Sequence, residues 1–201
     1  MNAAEYLARI GFGHLLGAFS VPVADEDDQE EIANAQHKEH RFVLMKLLAV
    51  KPSEPARGRG CRWLVNITWP NRVPGLIVWS GQQSLKKVIE QRQEMLRSHE
   101  FCEGDLYLLT VSHETTCGID SWSCADPIDI GFNPRVHKML IAQRPALELL
   151  AIIGLETVPL VSFGYRDCGF IHGRSLCRFA VTCRDGGYYH RWGDVRTEPL
   201  H

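Results

Sequence analysis

The sequence lacks the short patterns that identify the common nucleotide-binding and zinc-binding proteins. It contains neither G-x-x-x-x-G-K-[ST] nor G-x-G-x-x-G, which excludes a P-loop and a standard dinucleotide-binding turn. It contains no C-x-x-C pair, the unit on which zinc knuckles and ribbons are built. The G-x-S-x-G elbow of many hydrolases is also missing, as are helix-turn-helix and zinc-finger patterns. No catalytic or cofactor-binding class is therefore indicated by a motif, and we predict no cofactor.

Long apolar runs and a strong charge of one sign are missing as well. No stretch of about 18 uncharged apolar residues occurs, so we expect no transmembrane helix and no membrane partner. The formal net charge is −2, which gives no overall sign of nucleic-acid binding. The seven cysteines are odd in number and follow no disulfide framework. Free cysteines in a reducing compartment are the simplest interpretation, and they favour a soluble, cytoplasmic protein.

The composition and the hydrophobic pattern favour one globular α+β domain over residues 1–201. Hydrophobic residues make up 45% of the chain and charged residues 23%, as in ordinary globular proteins. We predict a mainly antiparallel sheet of about six or seven strands, packed by two to three helices. The predicted helices span 3–19, 84–98 and 133–153, the last with Pro145 as a kink, and an acidic stretch at 25–31 is either a loop or the first turn of a helix toward residue 40. The predicted strands span 41–50, 61–69, 76–79, 105–111, 159–164, 176–183 and 188–192.

Arginine and aromatic residues are concentrated in the predicted C-terminal hairpin. From residue 133 onward there are nine Lys and Arg against six Asp and Glu. Such residues serve phosphate contact with base stacking, and they also dominate protein–protein hot spots. In a third interpretation the aromatic residues pack the core and the arginines line the solvated face. The candidate binding residues are Arg174, Arg178, Arg184, Tyr188, Tyr189, Arg191 and Trp192.

The long irregular segment at 112–132 carries the candidates for chemistry. His113 ends a predicted buried strand, and Asp120 and Asp126 follow it, so a histidine base with nearby carboxylates is possible. The same histidine with three cysteines supplies the ligand types that zinc prefers, but their gaps of ten, three and six residues do not match known zinc spacings. These weak metal candidates are Cys102, His113, Cys117 and Cys124.

Two functions from different classes follow from these patterns. The first is a non-catalytic binding or adaptor protein that acts through the C-terminal hairpin, with a protein as the expected partner and nucleic acid as a second possibility. The alternative is a small metal-independent hydrolase or nuclease-like enzyme that uses His113. The enzyme hypothesis requires His113, Asp120 and Asp126 to converge in one cleft. The binding hypothesis requires the hairpin residues to form a surface patch.

Overall fold

The computed structural model describes ten segments of the chain: residues 1–17, 29–50, 52–53, 62–63, 85–99, 106–113, 140–158, 160–163, 167–184 and 189–200. In these segments we find four helices: α1 (Ala3–Leu16), α2 (Gln29–Ala49), α3 (Leu85–Arg97) and α4 (Pro145–Thr157). They also contain nine strands: β1 (Pro52–Ser53), β2 (Arg62–Trp63), β3 (Val111–His113), β4 (Ile141–Gln143), β5 (Leu160–Ser162), β6 (Asp167–His172), β7 (Ser175–Arg184), β8 (Tyr189–Trp192) and β9 (Arg196–Pro199).

Helix α1 has well-defined signals at both ends. The Asn2 side chain accepts the Glu5 amide at 2.8 Å while the Glu5 carboxylate accepts the Asn2 amide at 3.2 Å, which is a capping box. The helix ends at Gly17, whose backbone φ of 51° is one that residues other than glycine rarely adopt. The prediction of a helix here is confirmed, with its end at Leu16.

The apolar stretch at 41–50 is helical, so the strand predicted there is wrong. It forms the second half of α2, in which Val43, Leu44 and Leu47 are buried. Their spacing of one and three positions places them on one helix face. In a short apolar run, however, the sequence alone does not distinguish such a helix from a buried strand. The Gln93 side chain on α3 donates to the carbonyl oxygens of Leu47 and Val50, at 2.8 and 2.6 Å, and so caps the end of α2.

Two further predicted boundaries are wrong. Pro145 does not kink a helix that is already running. It occupies the first turn of α4, where a missing N–H costs no hydrogen bond, and residues 141–143 before it form a strand. Residues 106–108 form a turn, and the strand predicted at 105–111 begins only at Val111. The predicted strand at 76–79 lies outside the described residues, as does most of the one at 61–69.

The strands form antiparallel pairs in three sheets. Strands β1 and β2 pair with each other, and β3 pairs with β4. The largest sheet has the order β5-β6-β7-β8, and β9 pairs with the first part of β7. The α+β class is therefore as predicted, whereas one sheet of six or seven strands is not found among the described residues. No described helix is long and apolar enough to cross a lipid bilayer.

The contact between α1 and α4 is a direct approach of two backbones. A Cβ atom built on Gly11 would overlap the carbonyl oxygen of Leu150, and one built on Gly154 would overlap the carbonyl oxygen of Leu7. The same Cβ on Gly11 would lie 2.9 Å from the Gly154 nitrogen. Only glycine fits at either position. The glycine at 154 is therefore explained by the contact with α1 and not by the end of a helix, which the sequence predicts there; α4 continues to Thr157.

The core lies among the four helices and one face of the large sheet. It includes Leu7 from α1, Leu47 from α2, Ile89 from α3 and Leu150 from α4, and all are nearly or fully buried. The charged pair Arg92 and Glu148 is also buried, and the Arg92 Nε donates to Glu148 Oε2 between α3 and α4. A buried ion pair fixes the relative position of two elements, because breaking it leaves an unpaired charge in the core.

The glycine contact can be tested against a matched glycine on the same helix. We expect Gly11→Ala to lower the free energy of unfolding by at least about 2 kcal/mol, because its methyl group has no room. Gly13→Ala should leave stability unchanged or raise it by up to about 1 kcal/mol, since a Cβ there meets nothing within 4 Å and alanine favours the helix. Urea unfolding followed by circular dichroism measures both. Equal midpoints for the two variants would contradict the described packing.

Candidate functional site

The large sheet has one face that packs on the helices and one that faces outward. On the inner face Cys168, Phe170, Cys177 and Phe179 are almost completely buried. Neither Cys168 nor Cys177 is in a disulfide, and Cys177 shares its face with Phe179, as strand alternation predicts. Because side chains alternate along β7, Arg178 lies on the outward face between these two buried neighbours.

A missing side chain on β6 makes room for an aromatic ring on the outward face. Gly169 is the cross-strand partner of Arg178. A Cβ atom on Gly169 would lie 2.6 Å from the Cys177 carbonyl oxygen and 3.2 Å from the Phe163 ring, so backbone and ring together occupy the position that a side chain would otherwise fill. Aromatic residues often cover a strand glycine in this way. Phe163 nevertheless remains 41% exposed, so part of the ring is accessible to a partner.

The guanidinium of Arg178 is held in place by two contacts. Its central carbon lies 4.2 Å from the centre of the Phe163 ring, within the range of a cation–π interaction. Its Nη1 atom lies 3.9 Å from Glu198 Oε1 on β9, and both side chains are partly exposed. Each contact at such an exposed site contributes only about 1 kcal/mol or less. Together they favour the position of the guanidinium above the ring.

A second arginine stands beside the first. Arg196 on β9 is the cross-strand partner of Arg178 and is exposed. Directly opposed like charges destabilise a strand pair, so this arrangement is unfavourable for the sheet itself. Glu198 offsets part of the repulsion. Because this pair of arginines does not stabilise the sheet, it suggests a role in binding a partner.

Both arginines line a groove of about 510 Å³ at the junction of β8 and β9. There Gly193 donates its amide to the carbonyl oxygen of Ala180 at 2.9 Å, so the chain stays against β7 as it passes from one strand to the next. We call this feature the arginine groove. Its lining residues are Arg178, Phe179, Ala180, Gly193, Asp194, Arg196 and Glu198.

The structure describes some of the predicted binding residues. Arg174 is exposed in the turn between β6 and β7, and Arg178 lies in the arginine groove. The predicted hairpin forms: Arg184 pairs with Tyr189, Thr182 with Arg191, and Val181 with Trp192. Tyr188 lies outside the described residues.

The residues of the enzyme and zinc hypotheses are mostly outside the described part of the chain. His113 is half-buried on β3, opposite Ile141 of β4. Asp120, Asp126, Cys102, Cys117 and Cys124 lie in segments that the structure does not describe, so their convergence on His113 stays a prediction. In the segments that are described, no three His, Cys, Asp or Glu side chains are grouped as metal ligands.

Of the residues of this surface, sequence reasoning identifies only Arg178; the charged and aromatic residues that it misses are Phe163, Asp194, Arg196 and Glu198, together with Gly169. Strand β9 was not predicted because its residues, RTEP, carry no apolar alternation and end in proline. One usable signal was Gly169 within an otherwise strand-like stretch, since a strand glycine often marks a close approach by another group.

Comparison of the chain with protein-family models, with curated proteins and with solved structures gives no match.

The stacking of Arg178 on Phe163 predicts a ring-current effect. Protons on the Arg178 side chain should resonate upfield of their usual positions in a proton NMR spectrum, because they lie above an aromatic ring. Phe163→Leu keeps an apolar side chain but removes the ring current, so the Arg178 signals should move back downfield while those of Arg174 stay unchanged. Arg178 signals at ordinary positions in the unmodified protein would show that the stack does not form in solution.

Proposed function

We propose that this chain is a binding protein whose arginine groove recognises a segment of a protein partner. The observation that carries the proposal is the Arg178 guanidinium held over the half-exposed ring of Phe163. Arginine and aromatic side chains are the groups that contribute most to protein–protein affinity when a partner covers them.

The arginine is ordered before a partner arrives. Binding normally restricts a long side chain, which opposes association by about 0.5–1.5 kcal/mol for each immobilised side chain. The Phe163 ring and Glu198 already restrict Arg178, so less of that free energy is lost. A partner carboxylate could accept two parallel hydrogen bonds from the exposed edge of the guanidinium, a geometry that arginine provides and lysine does not.

The charge of the groove supports a protein partner over nucleic acid. Asp194 and Glu198 line it together with the two arginines. Both carboxylates would repel a phosphate backbone, whereas a peptide segment can present both signs of charge. The exposed strand β9 contains Pro199 as well as charged residues, features that disfavour the addition of another strand at its edge. We therefore propose that the partner binds to side chains on the face of the sheet.

The test compares Arg178 with an arginine outside the surface. Arg41 is exposed on α2, so Arg41→Ala is the matched control for Arg178→Ala. A partner would be found by crosslinking and mass spectrometry in extract from the host organism, then purified, and its affinity measured by titration calorimetry. We expect Arg178→Ala and Phe163→Ala each to weaken binding about 30-fold, corresponding to about 2 kcal/mol at a hot spot, while Arg41→Ala has no effect.

The outcomes against the proposal are equally definite. Capture of a protein is not sufficient, because a partner that binds Arg178→Ala as tightly as the unmodified chain uses another surface. Binding that disappears after nuclease treatment and falls steeply with salt would identify nucleic acid instead. Circular dichroism of each variant shows whether lost binding reflects lost folding.

A further inference from the structure

Helix α1 carries a second stripe of side chains on the face opposite to its contact with α4. Tyr6 and Ile10 are four positions apart, as are Arg9 and Gly13, and three positions separate Tyr6 from Arg9, so the four residues share one side of the helix. Together with Met1 and His172 they line a groove of about 530 Å³. That volume is within the range of sites that hold small organic molecules, about 300–1,000 Å³.

At one end of this groove aromatic and polar side chains contact one another. The Tyr6 hydroxyl lies 3.1 Å from His172 Nδ1, and the two rings meet edge to face with centres 5.8 Å apart. The Tyr6 ring also packs on Phe170 of the buried sheet face, at 5.5 Å. The imidazole is thus positioned by the core although His172 itself is exposed.

The Tyr6 hydroxyl joins helix α1 to the end of β6. Burial, with a smaller contribution from a hydrogen bond with Cys177, raises the pKa of the Tyr6 hydroxyl above its ordinary value of 10.0, so the hydroxyl keeps its proton. The hydroxyl and His172 Nδ1 form one hydrogen bond, and His172 Nε2 is a further polar atom at this end of the groove.

The charge on the groove is positive. Arg9 is exposed and makes no ion pair with any residue in the described part of the chain. Glu5, one turn earlier on α1, could have paired with it but instead bonds the Arg144 guanidinium at 3.0 Å and the Asn2 amide at 3.2 Å. Among the described residues no carboxylate lines the groove, in contrast to the arginine groove. The Met1 ammonium at its edge lies 3.6 Å from the Asp194 carboxylate. The apolar part of the lining comes from the Met1 side chain, Ile10 and the Tyr6 ring.

We propose that the groove along α1 binds a small apolar monocarboxylate, with the carboxylate between Arg9 and His172 and the apolar body against Ile10. An apolar site with a few convergent donors suits such a ligand better than a phosphate or a sugar, which would leave polar groups against Ile10 and Met1. Gly13 keeps the floor open, since a Cβ atom there would meet nothing within 4 Å. The site lies on the helix side of the sheet, whereas the arginine groove lies on the outward face, and the two are linked where the Met1 ammonium lies 3.6 Å from Asp194 Oδ1.

The probe is 2-naphthoate, and naphthalene-2-carboxamide is its uncharged match of nearly the same shape. Both are titrated into the full chain while the His172 ring signals are followed by NMR. We expect saturable binding of the carboxylate, a shift of the His172 signals, and about tenfold weaker binding of the carboxamide, because a charge-assisted hydrogen bond is lost.

Two variants separate the charge from the cavity. Arg9→Gln should bring the carboxylate to the affinity of the carboxamide and leave the carboxamide unchanged, whereas Arg41→Gln on α2 should alter neither. Gly13→Leu should abolish binding of both probes by filling the groove, while Gly13→Ala, which adds only one methyl group, shows that the helix tolerates substitution there. The proposal is overturned if 2-naphthoate does not saturate a site by about 5 mM, if both probes bind equally to the unmodified chain, or if Arg9→Gln has no effect.

Discussion

The direct contact of α1 and α4 at Gly11 and Gly154 is the constraint on which the rest of the described structure depends. With no side chain between them, the two helix backbones touch, and neither helix can turn about its axis without a clash. That fixed orientation commits one face of α1 to the core and leaves the opposite face, with Tyr6 and Arg9, beside the large sheet. The Arg92–Glu148 pair then places α3 against α4, so three helices are positioned by short-range contacts that allow little variation.

The large sheet connects the helices to both candidate sites. Its inner face is closed by Phe170 and Cys177, and the Tyr6 ring packs on Phe170, so the position of α1 fixes the His172 side of the sheet. On the outward face the Phe163 ring lies next to Gly169, where there is no side chain, and contacts the Arg178 guanidinium. The two proposed sites thus use opposite faces of the same strands. They are connected at one point, because the Met1 ammonium of the groove along α1 lies 3.6 Å from the Asp194 carboxylate of the arginine groove.

Much of this could be read from the sequence where local rules decide the structure. Helix α1, helix α3 and the β7–β8 hairpin were predicted from periodicity and turn residues, and Arg178 was among the predicted binding residues. The strand that the sequence predicts at 41–50 is wrong because a short apolar run fits a strand or a helix, and only packing on other helices decides between them. Phe163 could not be identified because its role depends on Gly169 and Arg178, which adjoin it only after the strands pair. The continuation of α4 through Gly154 has the same origin, since the glycine is required by α1 rather than by its own helix.

The most direct test of this account is native-state hydrogen exchange of the amides in α1 and α4, measured by NMR at increasing urea concentration. If the glycine contact holds the fold together, the protected amides of both helices should share one opening free energy, equal to that of global unfolding. Exchange of α1 through a local opening, with α4 still protected, would show that α1 detaches independently. In that case the α1–α4 contact could not be the constraint that positions the groove along α1 and the sheet behind it.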